Sequence, residues 1–226
     1  MPWTMRGKLL PVVLKVWCCA VLEKKRMPDV RAALEKAEHL PLSGGYCLAF
    51  TAGPGYLNRE LNAVNLKNGT ICFNAEWAVC LCLDGSEDAW NAFRCTAGHE
   101  EGHALDFENR FGIRTKAQFR RRWRSRADRR FILWVDEVHA DFYSRKELGG
   151  SWDLLIRALS FKAGYRKRQG LFGDHPSFAH PSFTQRCRWA EEYDFSPALI
   201  EKIAQETGCT DRKLIQEVAK RMVPDA

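Results

Sequence analysis

His99-Glu100-Glu101-Gly102-His103 is the stretch of this 226-residue chain whose residue types and spacing most directly suggest chemistry. On a helix, residues i and i+4 are about 400° apart around the axis, so both imidazoles leave one face about 6 Å apart along it. Two ring nitrogens can then meet a single zinc ion at about 2.0–2.1 Å. Glu100 lies on the adjoining edge, where its carboxylate can reach a zinc-bound water without being a ligand. The competing reading is an exposed helix that happens to carry two histidines on one face.

A third ligand sharpens the case. Asp136-Glu137-Val138-His139-Ala140-Asp141 repeats the i,i+4 spacing with Glu137 and Asp141 on a separate helix. Glu137 can supply the third zinc bond. Asp141 can accept a hydrogen bond from the far nitrogen of a ligand histidine, which fixes its tautomer and raises its basicity. Carboxylates at this spacing more often make ordinary helix-face contacts, but their place after an H-E-x-x-H sequence favours the ligand reading. His139, two positions from Glu137, points roughly 200° away around the axis and is read as a surface or packing residue.

With these residues in place, the chain resembles the gluzincin metallopeptidases of the CAAX prenyl endopeptidase and HtpX type. The family's strand motif, roughly N-A-x-x-L-x-x-G-x-I, is matched by Asn62-Ala63-Val64-Asn65-Leu66-Lys67-Asn68-Gly69-Thr70-Ile71. The zinc helix and the E-x-x-A-D helix follow, and the later H-P-x-x-x-x-R motif is matched from His180 to Arg186. His175 also precedes a proline, but the residue six positions on is Pro181, so His180 is the better match. The blocks occur in family order over about residues 46–193.

The resemblance implies a zincin-like fold, one zinc ion and a protein or peptide substrate. It implies that the strand through Thr70, Ile71, Cys72 and Phe73 lies beside the cleft and offers backbone groups to an extended substrate. It also implies that His180 and Arg186 face the metal, His180 stabilising a developing oxyanion or capping the zinc in a latent form. Glu101 departs from the family, in which an apolar residue is common there. Members that process membrane proteins carry transmembrane helices, which this sequence lacks, so it is similar to a soluble, minimal member. The ImmA/IrrE-type regulatory peptidases share the zinc helix and an E-x-x-A-D-like helix, but the strand and H-P-x-x-x-x-R matches favour the first family.

These side chains need elements to hold them. Ser86 can cap a long helix carrying Trp90, Phe93, Ala97, His99, His103 and Phe107 and ending near Gly112. A further helix is expected from about Lys116 to Glu147, with Phe131, Trp134, Val138 and Phe142, stopped by Gly149-Gly150. Upstream, Asp29 can cap a helix with Val30, Ala33, Leu34 and Ala37 on one face, ended by Pro41 and Gly44-Gly45. Residues 46–51 and Thr70–Asn74 read as short strands, the second entered through the turn Lys67-Asn68-Gly69. Ser151 opens another helix.

Residues 170–181 read as a loop rich in Gly, Pro and Ser. It is expected to overlie the metal with His180 on the cleft side and to gate the site. Three shorter helices follow. The last two join at Gly208-Cys209-Thr210-Asp211 as a packed hairpin, with Leu199, Ile200 and Ile203 facing Leu214, Ile215 and Val218.

Composition bounds the rest. A hydrophobic content of 46% supports one sizeable core, and 35 Lys and Arg against 28 Asp and Glu leave a net charge of +7. That permits an acidic partner without demanding one. The nine cysteines are scattered without a C-x-x-C pair, which reads as reduced thiols and a cytoplasmic location. Residues 9–22 are apolar except for Lys15, but they run into Glu-Lys-Lys-Arg without a small-residue cleavage site. They are also short of the roughly twenty residues a bilayer takes, and so read as a packed helix.

Residues 114–130 carry nine basic side chains interleaved with Phe119 and Trp123. This is either a dock for nucleic acid or an acidic protein or, more simply, a solvated connector. The expectation is therefore an α+β, zincin-like chain, mostly helical with a small sheet beside the active-site cleft. It divides into an N-terminal helical segment (1–40), a metallopeptidase domain (41–193) and a helical C-terminal extension (194–226). The expected activity is zinc-dependent endopeptidase. The alternative is a zinc-bearing module that binds a regulator or nucleic acid without cutting it.

Overall fold

A computed structural model describes residues 30–41, 45–51, 60–66, 69–104, 110–169 and 174–223. The helix expected over residues 9–22, the Asp29 cap, Phe107 and the first part of the 170–181 loop lie outside the described residues. Three short strands form the sheet: β1 (Cys47–Thr51), β2 (Ala63–Leu66) and β3 (Thr70–Asn74). β3 is the middle strand, parallel to β1 and antiparallel to β2. Alternation shows on the outer strand β1, where Leu48 and Phe50 are buried and Cys47 is exposed. On β3, residues 71–74 are all buried.

Helix α1 (Val30–Glu38) adds Leu34 and Ala37 to the core beneath the sheet. Helix α2 (Ala75–Leu83) follows β3 directly, with Asn74 serving as both last strand residue and N-cap. Residues 75–82 are buried on every side. A helix enclosed in this way has no polar stripe, so periodicity does not announce it. Helix α3 (Glu87–Ala104) begins where Ser86 Oγ accepts the Ala89 N–H at 3.2 Å. Its Phe93 meets Phe73, Trp77 and Phe50 at ring-centroid distances of 4.3, 5.5 and 6.0 Å, which ties the helix to the sheet.

The single helix expected from about Lys116 to Glu147 is in fact two. Helix α4 (Lys116–Arg122) starts at a Thr115–Gln118 capping box and unwinds at Trp123, which is buried against Phe111 and Phe119. Ser125 then accepts the N–H groups of Ala127 and Asp128 and starts helix α5 (Arg126–Ser144). Serine is a stronger cap than a helix-interior residue, and Trp123 gains more by turning inward than by continuing an exposed helix. A 3-10 turn, Arg145–Leu148, carries α5 to Gly149, whose φ of 64° ends it.

Helices α6 (Trp152–Arg168), α7 (Phe183–Glu192), α8 (Pro197–Thr207) and α9 (Arg212–Met222) follow among the described residues. Each has a side-chain N-cap: Ser151, Ser182, Ser196 and Asp211. The architecture is α+β, mostly helical with a small mixed sheet. One core joins the sheet to α1, α2, α3 and α6. A second gathers Trp134, Val138, Trp189, Leu199, Ile203, Leu214 and Val218 from α5, α7, α8 and α9. No described helix is long and apolar enough to cross a membrane. The seven described cysteines are free thiols.

Helix α5 crosses α3 at very short range. A Cβ added at Gly102 would lie 2.8 Å from Ala140 Cα, and one at Gly98 would lie 3.0 Å from Ser144 Cα. Gly102→Ala should therefore lower stability by about 1–3 kcal/mol, read as a lower urea midpoint. Gly164→Ala is the control of opposite sign. Within α6 the added Cβ meets only Arg168 Nη1, at 3.5 Å, and stability should rise by up to about 1 kcal/mol.

Candidate metal centre

α3 presents His99 and His103 one turn apart, and α5 presents Asp136, Glu137 and Asp141 opposite them. His99 Nε2 and His103 Nε2 are 2.9 Å apart. They lie 3.5 and 3.4 Å from the two carboxylate oxygens of Glu137. A tetrahedral ion with bonds of 2.0–2.1 Å sets its ligand atoms roughly 3.3 Å apart, so the triangle has the right size for one ion. His99, His103 and Glu137 form a group able to hold a metal.

The tautomers agree with that. His99 Nδ1 is 2.8 Å from Asp141 Oδ1, and His103 Nδ1 is 2.9 Å from Asp136 Oδ2. An ionised carboxylate only accepts hydrogen bonds, so each imidazole carries a proton on Nδ1 and turns its Nε2 towards Glu137. Two Nε2 atoms and a carboxylate converging on one point call for a positive charge between them, which a metal ion or a proton on His103 supplies. The pKa shifts express the same excess of negative charge. Burial opposes a charge on His103, but Asp136 and then Glu137 outweigh it and raise its pKa well above the usual imidazole value. Burial likewise opposes ionisation of Glu137, yet its contacts with His103, His180 and His99 hold its carboxyl well below the usual range.

Arg186, from α7, closes the far side. Its Nε donates to Asp141 Oδ2 at 2.5 Å, its Nη2 donates to Asp141 Oδ1, and its Nη1 is 3.9 Å from Glu137. Burial resists the Asp141 charge, but Arg186 and His99 overcome it and bring the pKa down to about 2. His180 Nδ1 lies 2.8 Å from Glu137 Oε1, with its side chain largely exposed. The described part of its loop is tethered twice. Trp134 Nε1 donates to the Ser177 carbonyl at 3.2 Å, and Asp174 accepts the Phe183 and Thr184 N–H groups.

These groups border a cleft of about 680 Å³. Thr96, His99, Glu100 and His103 line one wall, and Lys162 and Arg166 of α6 another. Residues 60–63, leading into β2, and His175 and His180 of the loop complete it. Glu100 is half-buried, beside the histidines and on the cleft side. Glu101 is buried and paired with Lys146 Nζ at 2.9 Å, which accounts for an acid at that position. His139 is buried against the Tyr143 and Phe195 rings, a packing residue.

One expected site element needs correction. Thr70, Ile71, Cys72 and Phe73 belong to the middle strand, and both of its backbone edges are taken by β1 and β2. They cannot accept a further strand. In the three-stranded sheet, β2 is the edge strand whose lead-in lines the cleft. Sequence reasoning also passes over Asp136. Antiparallel packing of α3 on α5 was the missing signal: a step forward from His99 to His103 must be matched by a step back from Asp141 to Asp136. In the basic stretch, Trp123 is buried and Phe119 packs on it, so its aromatics serve the second core.

No protein-family model, curated protein or solved structure matches the chain.

Asp136→Asn keeps the size of the side chain and removes the charge behind His103. Affinity for a divalent metal ion should fall about 10–100-fold, measured by competition with a chromogenic chelator, with the fold retained by circular dichroism. Asp141, depressed in the folded state, contributes stability above the ordinary carboxylate pKa and loses it as pH falls towards 2. In chelated protein, the gap in stability between wild type and Asp141→Asn should narrow by about 2 kcal/mol between pH 5 and pH 2, read from urea midpoints.

Proposed function

We propose that the chain is a zinc-dependent endopeptidase of the gluzincin type. The observation that carries this reading is the His99–His103–Glu137 triangle with Glu100 beside it on the cleft wall. His99, His103 and Glu137 would hold the ion, and three protein ligands leave a position open on the cleft side. Zinc held there supplies a Lewis acid that lowers the pKa of a water to about 7.

Everything else falls to the chain's own residues. Glu100 takes the proton from the attacking water and hands it to the leaving amine. His180, whose ring already touches Glu137 at 2.8 Å, can turn to donate to the oxygen that gains charge as the carbonyl is attacked. Asp141 and Asp136 hold the two imidazoles in one tautomer, and Arg186 keeps Asp141 ionised. The edge of β2 can pair with an extended peptide and lay its scissile bond along α3. A zinc site used only for structure would need no carboxylate at Glu100, which weighs against a purely binding module.

Glu100→Gln should reduce cleavage of unfolded casein by about 10²–10⁴-fold while bound zinc, measured by plasma mass spectrometry, stays at the wild-type level. His103→Ala should lose both metal and activity. Full activity in Glu100→Gln, or insensitivity to chelator, would sink the mechanism.

A further inference from the structure

Most of the charged side chains that line the cleft are already committed to partners. Glu137 meets three histidines, Arg186 is committed to Asp141, and Arg166 pairs with Glu60 at 3.0 Å. Lys162 lies one turn before Arg166 on the same face of α6 and lines the cleft. It makes no hydrogen bond or ion pair among the described residues: Nζ sits 5.4 Å from the Phe183 centroid, and Asp141 and Glu100 act on it from beyond ion-pair distance. The Arg186 guanidinium lies 5.0 Å from that same centroid. Two cations thus share one aromatic ring at the floor of a cleft.

The arrangement is uncomfortable for Lys162. Burial, and after it the charge of Arg186, holds the Lys162 pKa below its usual value, and Asp141 and Glu100 offset this only in part. A carboxylate placed against the ammonium would relieve both effects. Arg186 cannot take that role, because its fork is already filled by Asp141. Lysine suits it: an ammonium is a compact charge with three donors that needs no fixed fork geometry.

We propose that Lys162 anchors an anion-recognising subsite in this cleft, and that the substrate presents a carboxylate to it. This deepens the peptidase reading and rests on it. The bond to be cut lies over His99, His103 and Glu100, and the carboxylate seats on the α6 side. An acidic side chain and a free C-terminus offer the same chemistry.

Binding separates the two sources, and separates this proposal from the peptidase reading. Full-length, zinc-loaded Glu100→Gln protein is titrated with three fluorescent heptapeptides. One is neutral with an amidated end, one carries a single internal Glu and an amidated end, and one has only uncharged side chains and a free C-terminal carboxylate. One of the charged peptides should bind about tenfold more tightly than the neutral one, and which of them does so identifies the source. Adding Lys162→Met should bring the difference within about twofold, and Lys162→Arg should retain most of it. Zinc content and melting temperature should be unchanged in both. Equal binding of the three peptides, no binding of any, or a preference that survives Lys162→Met overturns the proposal. A Lys162-dependent preference without cleavage by the wild type leaves the subsite standing and removes the peptidase reading.

Discussion

The crossing of α3 over α5, with Gly102 against Ala140 and Gly98 against Ser144, brings two imidazoles and three carboxylates into one small volume. No side chain on α3 could stand between those backbones without moving the helices apart. Helices commonly pack 8–10 Å apart depending on the side chains at the contact, and glycine and alanine allow the near limit. At that spacing His99 and His103 reach Glu137 directly. A wider gap would leave room for water between the would-be ligands and no shared point for an ion.

The same proximity creates an electrostatic problem that the rest of the fold answers. Asp136, Glu137 and Asp141 are all buried, and an isolated buried carboxylate tends to neutralise itself by taking a proton. Here Arg186 arrives from α7, and the two imidazoles donate their Nδ1 protons. α7 in turn is positioned by Trp189 in the second core and by the Asp174 carboxylate at its N-terminus. The second core therefore serves the site: it holds the helix whose guanidinium keeps Asp141 ionised.

α6 gives the cleft its character. It packs against both α3 and α7, so its Lys162–Arg166 face looks across at the histidines and closes the cleft on the side opposite α5. The loop before α7 forms the rim. Its two tethers, to Trp134 and to the start of α7, keep His180 near Glu137 while leaving the ring exposed. A residue held so close to Glu137, yet open to solvent, is placed to exchange one partner for another.

Much was legible in the chain before folding. The i,i+4 rule puts His99 and His103 on one helix face, and it puts Glu137 and Asp141 on another. Cap residues mark the starts of α3 and α6, and apolar periodicity shows the α8–α9 hairpin, because those signals are local. The enclosed helix α2 escaped because a helix buried all round has no period to detect. The break at Trp123 escaped because its cause is burial in the second core. Pairing lies further from the sequence still. That β3 is the middle strand, that Asp136 stands behind His103 and that Lys162 faces the cleft are all relations between elements. Local propensity determines which way a side chain points on its own helix or strand. Only the packing of one element on another decides what it meets.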